Sequence, residues 1–320
     1  MTAPYHPLVD LVPAGARVLW VASSGGHFAQ LARIAAAADV HPESDWITFD
    51  TPQTRGAALH SDPHFVPYIA PRDWKGVART AAWSAAFLRT RRYDLCISTG
   101  AALALAVLPV AAARGIPATY LESISRVHGP SVSGRALRHT PGVATYTQHA
   151  SWASEKWPWA GSVLDTWSSQ PRPATREPAP RKIFVTLGTI RPYRFDRAVD
   201  AILDVTTPED EIVWQLGCTT RDDLGGKVHR EISPTSFTRY ARDADVTVTH
   251  AGVGSLMQLL DMGITPSIVV REPASEEHVD NHQRQIAEEM KRRNLAFELD
   301  LSSPSRSVLE RSAALTVSAT

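Results

Sequence analysis

Short apolar runs alternate with longer amphipathic stretches along the whole chain. The runs are rich in β-branched and aromatic residues, as buried strands are, and the stretches between them have helical spacing. In the first half the predicted strands span residues 18–22, 46–49, 65–69, 95–98, 118–121 and 143–147. In the second half they span residues 183–187, 212–216, 228–232, 246–249, 267–270 and 296–299. This alternation predicts an α/β fold in which parallel sheets are covered by helices on both faces.

Two domains are expected from the length of the chain and from a break in its composition. A chain of 320 residues exceeds what one hydrophobic core usually serves. Residues 169–181, SQPRPATREPAPR, are rich in proline and charge, which is typical of a semi-rigid linker. We therefore predict a first domain at residues 1–168, a linker at 169–181 and a second domain at 182–320.

Composition indicates the cellular compartment of the protein and argues against nucleic acid as a partner. The chain has 33 basic residues (Lys and Arg) and 33 acidic residues (Asp and Glu). It therefore lacks the excess of positive charge that is typical of nucleic-acid-binding proteins. Cys96 and Cys218 lie far apart in strand-like runs, which is typical of reduced thiols. The first residues lack the basic and apolar pattern of a secretory signal, and the longest apolar run, residues 101–113, is shorter than a membrane span of roughly 20 residues. These features predict a cytoplasmic protein.

A glycine-containing turn follows the first predicted strand and opens a helix. Ser24, Gly25 and Gly26 let an anion or a sugar approach the backbone at a helix N-terminus, where the potential is positive. His27 follows at the carboxyl edge of the sheet, where ligands bind in such folds, and can take a proton from a hydroxyl near neutral pH. An isolated histidine more often caps a helix or contacts a carbonyl group, but its position directly after Gly-Gly favours a catalytic base.

A second glycine loop follows the predicted strand at residues 246–249 and opens another helix. The loop consists of His250, Ala251, Gly252, Val253, Gly254 and Ser255. Its amides at a helix N-terminus suit a diphosphate. One turn into the helix, Gln258 can present its amide to ribose hydroxyls, although a solvated helix residue is nearly as good an interpretation. Gly188 and Thr189 form another small-residue turn, which either contacts phosphate or simply connects a strand to a helix.

A dehydrogenase is the alternative that the first glycine turn raises. That turn and Asp50, at the end of the second predicted strand, resemble a dinucleotide-binding pattern. However, the Gly-x-Gly-x-x-Gly pattern is absent, and Ala29 stands where its last glycine would pack helix on strand. A dehydrogenase would also leave the second glycine loop unexplained, so we set this alternative aside.

The segments around both loops resemble known sugar transferases. THAGVGSLMQLLDMGITPSIVV and DNHQRQIAEEM, together with KIFVTLGT and YARDADVTVTHAG, are similar to the C-terminal domain of family 28 glycosyltransferases. They are also similar to the catalytic subunit of the two-part dolichyl-diphosphate N-acetylglucosamine transferase. SSGGHFAQLARI and STGAALALAVLPVAAARGIPATYLESISRV resemble the other subunit of that enzyme. The chain thus resembles a single-chain fusion of the two subunits, of the kind found among bacterial exopolysaccharide and capsule enzymes.

The resemblance implies a GT-B fold of two Rossmann-like domains facing a cleft, and an inverting, metal-independent transfer of a sugar from a UDP-sugar. The sugar would be N-acetylglucosamine or a related hexose or uronic acid, and no cofactor besides the UDP-sugar is implied. The implied donor-binding residues are Gly188, Thr189, Ile232, Ser233, Pro234, the six residues of the second glycine loop, Gln258, Asn281, His282 and Gln283. His27 would be the general base. The family usually has glutamate at the place of Gln258, so a charged contact to the ribose would be missing.

The acceptor implied by the resemblance is a lipid-diphosphate-linked sugar bound by the first domain. The residues assigned to it are Ser24, Gly25, Gly26, Glu122, Ser123 and Arg126. For the last three, a phosphate contact and a local cap with an ion pair are equally good interpretations. Residues 72–92 combine aromatic and basic side chains, so this helix either lies on an anionic membrane, at the inner face of the cell membrane, or turns an aromatic stripe to the core.

Two other functions stay open at this point. One is a soluble UDP-sugar transferase that decorates a small molecule. The other is a non-catalytic nucleotide-sugar-binding subunit that needs a partner for activity. The presence of both halves in one chain argues against the second, because each separate subunit of the related enzyme supplies only one half.

Overall fold

The protein is described from a computed structural model covering residues 7–57, 59, 61–70, 72–172, 181–189, 191–277 and 281–319. The chain divides into two compact units, Met1–Thr166 and Trp167–Thr320. Each unit contains a six-stranded sheet whose strand pairs are all parallel. The predicted α/β fold with two parallel sheets is thus confirmed.

The first unit carries a sheet in the order β3-β2-β1-β4-β5-β6. Its strands are β1 (Val18–Val21), β2 (Asp45–Phe49), β3 (His64–Val66), β4 (Leu95–Ser98), β5 (Ala118–Leu121) and β6 (Val143–Tyr146). Its α-helices are α1 (Gly26–Ala37), α2 (Pro52–Arg55), α3 (Trp74–Phe87), α4 (Ala101–Ala113) and α5 (Val132–Leu137), and short 3-10 helices lie at Pro7–Leu11, Ala150–Trp152 and Val163–Thr166. The strand order reverses between β1 and β4.

The second unit repeats this arrangement with the order β10-β9-β8-β11-β12-β13. The strands are β7 (Trp167–Pro171), β8 (Lys182–Thr186), β9 (Glu211–Gln215), β10 (Lys227–His229), β11 (Val246–His250), β12 (Ser267–Val269), β13 (Phe297–Glu298) and β14 (Leu315–Ala319). The α-helices are α6 (Asp196–Val205), α7 (Pro234–Asp243), α8 (Val253–Asp261), α9 (His282–Arg292) and α10 (Arg306–Ala313), with a 3-10 helix at Pro273–Ser275. Here the order reverses between β8 and β11.

Burial on both faces of the sheets explains why the strands are continuous apolar runs. All four residues of β1 are buried, and so are all four of β4. Helix α4 is apolar on every side and packs between α3 and the sheet, which is why its sequence shows no polar face. Among the helices that the structure describes, none has the length and apolar character needed to span a bilayer.

The edge strands of both sheets are shorter than predicted. Strand β3 ends at Val66 rather than at residue 69, and β10 ends at His229 rather than at residue 232. Each of these strands has a neighbour on one side only. With half the ladder hydrogen bonds available, an edge strand ends where its single neighbour no longer pairs with it.

The predicted linker differs from the structure at its start. Residues 169–171 belong to β7, which pairs antiparallel with β14. Ser168 faces Ser318, which lies 150 residues later in the chain, so no local pattern could indicate the pairing. Residues 169–181 have the proline and charge content of a linker, but strand β7 at their start belongs to the second unit. Residues 173–180 of the predicted linker lie outside the described residues.

Candidate functional site

Both predicted sites lie where the strand order of a sheet reverses. In doubly wound folds, ligands bind outside the carboxyl ends of the strands at this point. In the first unit, the loop after β1 leads to His27 and the loop after β4 contains Thr99 and Gly100. In the second unit, Gly188 follows β8 and His250 ends β11. The candidate residues therefore lie at the carboxyl edge of each sheet, at the point where the strand order reverses.

His27 is held by the loop that follows β4. Its Nδ1 lies 2.7 Å from the main-chain carbonyl oxygen of Thr99, and the Thr99 hydroxyl donates to the carbonyl oxygen of His27 over 2.7 Å. A carbonyl oxygen only accepts hydrogen bonds, so Nδ1 carries a proton. In the neutral ring, Nε2 is then the basic nitrogen, and it can take a proton from a hydroxyl group.

The backbone after β4 adopts conformations that side chains rarely allow. Gly100 has φ 127° and Ala101 has φ 63°. A Cβ on Gly100 would lie 2.9 Å from Cε1 of His27 and 3.2 Å from the Tyr120 hydroxyl, well inside the roughly 3.5 Å at which carbon atoms pack. Glycine therefore lets the loop close on the imidazole. Backbone strain of this kind clusters at functional sites.

The turn between β1 and α1 is contacted by a side chain that the sequence did not single out. Gly25, with φ 76°, precedes α1 without a side-chain cap. Its amide donates to Oε1 of Gln53 over 2.6 Å, and its carbonyl accepts from Nε2 of the same side chain over 3.2 Å. Gln53 lies on α2, and its contact joins segments 28 residues apart. Gly25 was predicted to contact the acceptor substrate, but its amide already donates a hydrogen bond to a side chain of the protein.

Glu122 is engaged by its own chain. Its carboxyl group is 1% exposed, with Oε1 accepting from the Tyr120 hydroxyl over 3.0 Å and Oε2 accepting from the Ser131 amide over 2.8 Å. Burial raises the pKa of Glu122 above its usual value. Ser131 in turn caps α5 by accepting from the Gly134 amide. These contacts favour the local-cap interpretation of Glu122. Of Arg126, the structure shows the carbonyl accepting from the Trp152 indole over 2.9 Å.

Two buried glutamines, Gln30 on α1 and Gln148 after β6, were also not predicted from the sequence. Gln30 donates to the Ser123 hydroxyl over 3.0 Å and accepts from the Ile124 amide over 3.0 Å. The same oxygen accepts from Nε2 of Gln148 over 2.9 Å. This network fixes α1, and with it His27, to the loop after β5. The contacts span 93 to 118 residues in sequence, so no local motif could reveal them.

In the second unit, the two predicted phosphate loops meet at the imidazole of His250. A Cβ on Gly188 would lie 2.7 Å from Cε1 of this ring, and a Cβ on Gly252 would overlap Nε2. A Cβ on Gly217 would overlap the carbonyl oxygen of Gly188. Three strand-end loops therefore approach one another closely only because each has a glycine at the contact.

Helix α8 begins at this meeting point without a side-chain cap. Gly252 is its N-cap residue, and its first three residues are Val253, Gly254 and Ser255. The amides of a first helical turn have no intrahelical acceptor, and the helix dipole adds positive potential there. This arrangement suits a bound phosphate. Gln258 lies one turn further on and is half-buried.

The remaining predicted donor residues have mixed surroundings. Ile232 packs beside the Phe184 cluster, and Ser233 caps α7 by accepting from the Ser236 amide over 3.1 Å, with Pro234 as the first helical residue. The Ser233 hydroxyl thus stabilises a helix. Asn281, His282 and Gln283 lie at the start of α9, and Thr189 follows Gly188. Ala251 is buried directly after β11, where its amide donates to the carbonyl oxygen of Val269 over 3.2 Å.

The comparisons with known proteins agree with this geometry. Residues 183–300, from β8 to β13, match the model of the glycosyltransferase family 28 C-terminal domain. The crystal structure of Acinetobacter baumannii MurG is similar, with 14% identity over 92% of this chain and 89% of that chain and a TM-score of 0.56. The glycosyltransferase SnogD from Streptomyces nogalater shows 19% identity over 93% and 90% of the two chains, with a TM-score of 0.56.

An epimerase shares the same architecture. Methanocaldococcus jannaschii UDP-GlcNAc 2-epimerase, in complex with UDP-GlcNAc and UDP, shows 11% identity over 92% of this chain and 91% of that chain, with a TM-score of 0.58. No curated protein matches the sequence significantly. At these identities the solved structures establish the fold, which is GT-B. The resemblance to family 28 is confirmed for residues 183–300, and a fusion of two subunits stays a prediction.

Proposed function

We propose that the protein is an inverting glycosyltransferase that moves a sugar from a UDP-sugar to a hydroxyl group, with His27 as the general base. The single observation that carries this proposal is the family 28 match over residues 183–300, which includes the glycine loops at Gly188 and Gly252. The donor sugar we propose is N-acetylglucosamine or a related hexose or uronic acid.

The assignment of the donor site to the second unit is supported by the negative charge of a nucleoside diphosphate. A nucleoside diphosphate needs hydrogen-bond donors and positive potential, and the uncapped first turn of α8 offers both beside the Gly188 turn. Two proteins of this fold are described with such ligands, the epimerase with UDP-GlcNAc and UDP, and the glycosyltransferase VinC with dTDP. We assign the diphosphate to these amides and the sugar to Asn281 and His282 at the start of α9.

The chemistry follows from the protonation state of His27. Nε2 takes the proton of the acceptor hydroxyl while the hydroxyl oxygen attacks the anomeric carbon of the donor sugar from the side opposite to the diphosphate. The bond from that carbon to the diphosphate oxygen breaks, and UDP leaves with the bonding electron pair. One displacement inverts the configuration. Amides and helix ends that are already in place stabilise the leaving charge, so the mechanism we propose uses no metal ion.

The acceptor we propose is lipid-linked, and the outer surface of α3 supports this choice. This helix packs against α4, its buried residues are Gly76, Thr80, Ser84 and Phe87, and it turns Trp74 outward with 63% of its surface exposed. Trp83 is 37% exposed and stacks on Phe87 at 5.0 Å. An ordinary amphipathic helix places its aromatic residues inward. On α3 one aromatic residue, Phe87, is turned inward, whereas Trp74 and Trp83 are exposed, and exposed tryptophans suit a helix lying at a membrane interface.

Neighbouring side chains extend this surface and add positive charge. Tyr68, before α3, is 67% exposed. Lys75, Arg79 and Arg89 are exposed on or just after α3. Aromatic side chains with basic neighbours bind anionic lipid headgroups. We therefore propose a peripheral contact with the inner, cytoplasmic face of the cell membrane.

The purified chain, given a panel of UDP-sugars with and without a membrane lipid extract, tests the proposal. We expect UDP release only when a donor and a lipid-linked acceptor are both present. Turnover with a water-soluble acceptor alone would indicate a transferase that decorates small molecules. An isomerised UDP-sugar formed without acceptor would indicate an epimerase, and UDP binding with no turnover on any acceptor would indicate a non-catalytic subunit.

A further inference from the structure

We propose that Arg271 is a positioning residue of the donor site that supplies, from inside the second unit, the positive charge that offsets the donor diphosphate. The inference rests on the proposed function, because it assigns a charge to the site at which UDP is expected. Arg271 was not among the residues that the sequence or the family resemblance singled out.

The guanidinium of Arg271 lies under the loops at the carboxyl edge of the second sheet. Arg271 comes two residues after β12 and is 1% exposed. Nη2 donates to the carbonyl oxygen of Leu187 over 2.8 Å, and Nη1 donates to those of Tyr193, Arg194 and Glu277 over 3.2 to 3.3 Å. The side chain thus joins two points of the loop between β8 and α6 to the loop between β12 and α9.

No carboxylate forms a direct ion pair with this guanidinium in the described part of the protein, although the nearby Glu277 carboxylate favours its charged form. The hydrogen-bond acceptors of Arg271 are carbonyl oxygens, and among the described residues Nε has no acceptor. The nearby Glu277 carboxylate is engaged by Arg197 at 2.8 and 3.0 Å. Burial lowers the pKa of Arg271 to about 10, so the group is still charged at neutral pH. A buried cation ordinarily has an anion beside it, and a bound ligand can provide one.

The contact with Leu187 transmits this charge to the predicted phosphate loop. The Leu187 carbonyl and the Gly188 amide belong to one peptide group, in which they point in opposite directions. A cation on the carbonyl polarises the group and makes the amide a stronger donor. Gly188 has φ 79°, and its amide donates to no main-chain or side-chain acceptor in the described ranges. An anion that accepts from this amide is therefore stabilised by Arg271 without touching it.

A second contact joins Arg271 to a predicted donor residue. The main-chain amide of Arg271 donates to Oε1 of Gln283 over 3.2 Å, in the first turn of α9. Gln283 is buried, so this bond fixes its orientation. Arg271 thus connects the Gly188 turn to the start of α9. A purely structural role would be to hold these loops in place, and the test must separate that role from the charge.

Calorimetric titration with UDP and with uridine separates the two roles. Arg271→Lys keeps the charge, whereas Arg271→Gln removes it and keeps hydrogen-bond donors for the carbonyls. We expect Arg271→Gln to weaken UDP binding by about ten- to a hundredfold while uridine binding changes less than about threefold, since a buried charge acts over distance on a charged ligand and hardly on a neutral one. We expect Arg271→Lys to retain the ratio of UDP to uridine affinity within about threefold.

Arg306→Gln is the matched control, because Arg306 is a half-buried arginine of the same unit that donates to the Val205 carbonyl and pairs with Asp210. Its UDP-to-uridine ratio should equal that of the wild-type protein. If Arg271→Gln weakens UDP and uridine binding in equal proportion, Arg271 only holds the loops and the inference is wrong. If the wild-type protein binds no UDP, the proposed function itself fails, which is a different result from a wild-type protein that binds UDP and variants with an unchanged ratio.

Discussion

The imidazole of His27 donates from Nδ1 to the carbonyl oxygen of Thr99 at 2.7 Å, which leaves Nε2 as the basic nitrogen. A base must be oriented as well as present, because proton transfer needs hydrogen-bond geometry. The same Thr99 fixes the His27 main chain through its hydroxyl. The loop after β4 therefore determines which nitrogen of His27 acts and where its ring lies.

Replacing His27 with alanine should abolish catalysis while leaving donor binding intact. Loss of a general base reduces turnover by roughly a hundred- to ten-thousandfold. The donor is assigned to the second unit, so the Kd for UDP should stay within about twofold. His128→Ala, at an exposed histidine of the same unit, is the control and should keep full turnover. Normal turnover of His27→Ala would show that another group is the base.

Gly100→Ala should lower kcat by displacing the imidazole of His27. The new Cβ would lie 2.9 Å from Cε1 of the ring and displace it from its hydrogen bond with Thr99. We expect kcat to fall by about ten- to a hundredfold, since a displacement of this size costs that much, with little change in KM for the donor. Gly129→Ala separates backbone strain from the contact, because Gly129 has φ 142° and open space around it. Equal losses of kcat in both variants would contradict the positioning role.

The sequence predicted the sheets far better than the contacts that support the site. Strands such as β4 and β5 are buried on both faces and appear as apolar runs, so a local pattern identifies them. Gln53, Gln148 and Arg271 act through partners that lie tens of residues away or more. Their side-chain types are ordinary in a helix or a strand end, so only the folded chain shows what they contact.

The same reason explains why Glu122 remained open at the level of sequence. A glutamate followed by serine at a strand end is compatible with either a ligand contact or a cap. The decision depends on Ser131, whose amide reaches the carboxylate only because the chain before α5 returns to the end of β5. By contrast, the glycines at positions 188 and 252 could be singled out, because glycine in a strand-end turn indicates a close approach, which here is to the imidazole of His250.

Gly252→Ala should weaken donor binding by a purely steric route. Gly252 has φ −86°, which alanine adopts without strain, but the added Cβ would overlap Nε2 of His250. Moving this ring disturbs the first turn of α8 and the Gly188 turn together, and we expect the Kd for UDP to rise by about tenfold or more. Gly225→Ala, at a glycine with open space around it, should bind UDP normally.

The double variant His250→Ala/Gly252→Ala provides a rescue experiment for the same contact. Removing the imidazole makes room for the new Cβ, so UDP affinity should recover relative to Gly252→Ala and approach that of His250→Ala alone. Isothermal titration measures all three variants. If the double variant is weaker by the product of the two single effects, the two positions act independently and the steric explanation is wrong.

Glu122→Gln should change how stability depends on pH. Burial raises the pKa of the Glu122 carboxyl above its value in the unfolded chain. The folded state therefore holds this proton more tightly, and the resulting stabilisation is fully present below the unfolded pKa and is lost as the pH rises through the folded pKa. The neutral amide of the variant does not titrate. Urea denaturation across this pH range should show the stability advantage of the wild-type protein shrinking as pH rises, whereas Glu155→Gln, at an exposed glutamate, should show no such trend.

Trp74→Ser should release the protein from anionic vesicles without destabilising it. The side chain is 63% exposed, so its removal costs the fold little, while a tryptophan at a membrane interface contributes through buried apolar area. Co-sedimentation with phosphatidylglycerol vesicles should fall at least about fivefold, and binding should also weaken with salt because Lys75 and Arg79 lie beside it. Trp159→Ser removes a tryptophan that is 55% exposed elsewhere in the same unit. An equal loss of vesicle binding in this control would mean that exposed tryptophans bind lipid nonspecifically. Unchanged vesicle binding of Trp74→Ser would show that α3 does not contact the membrane.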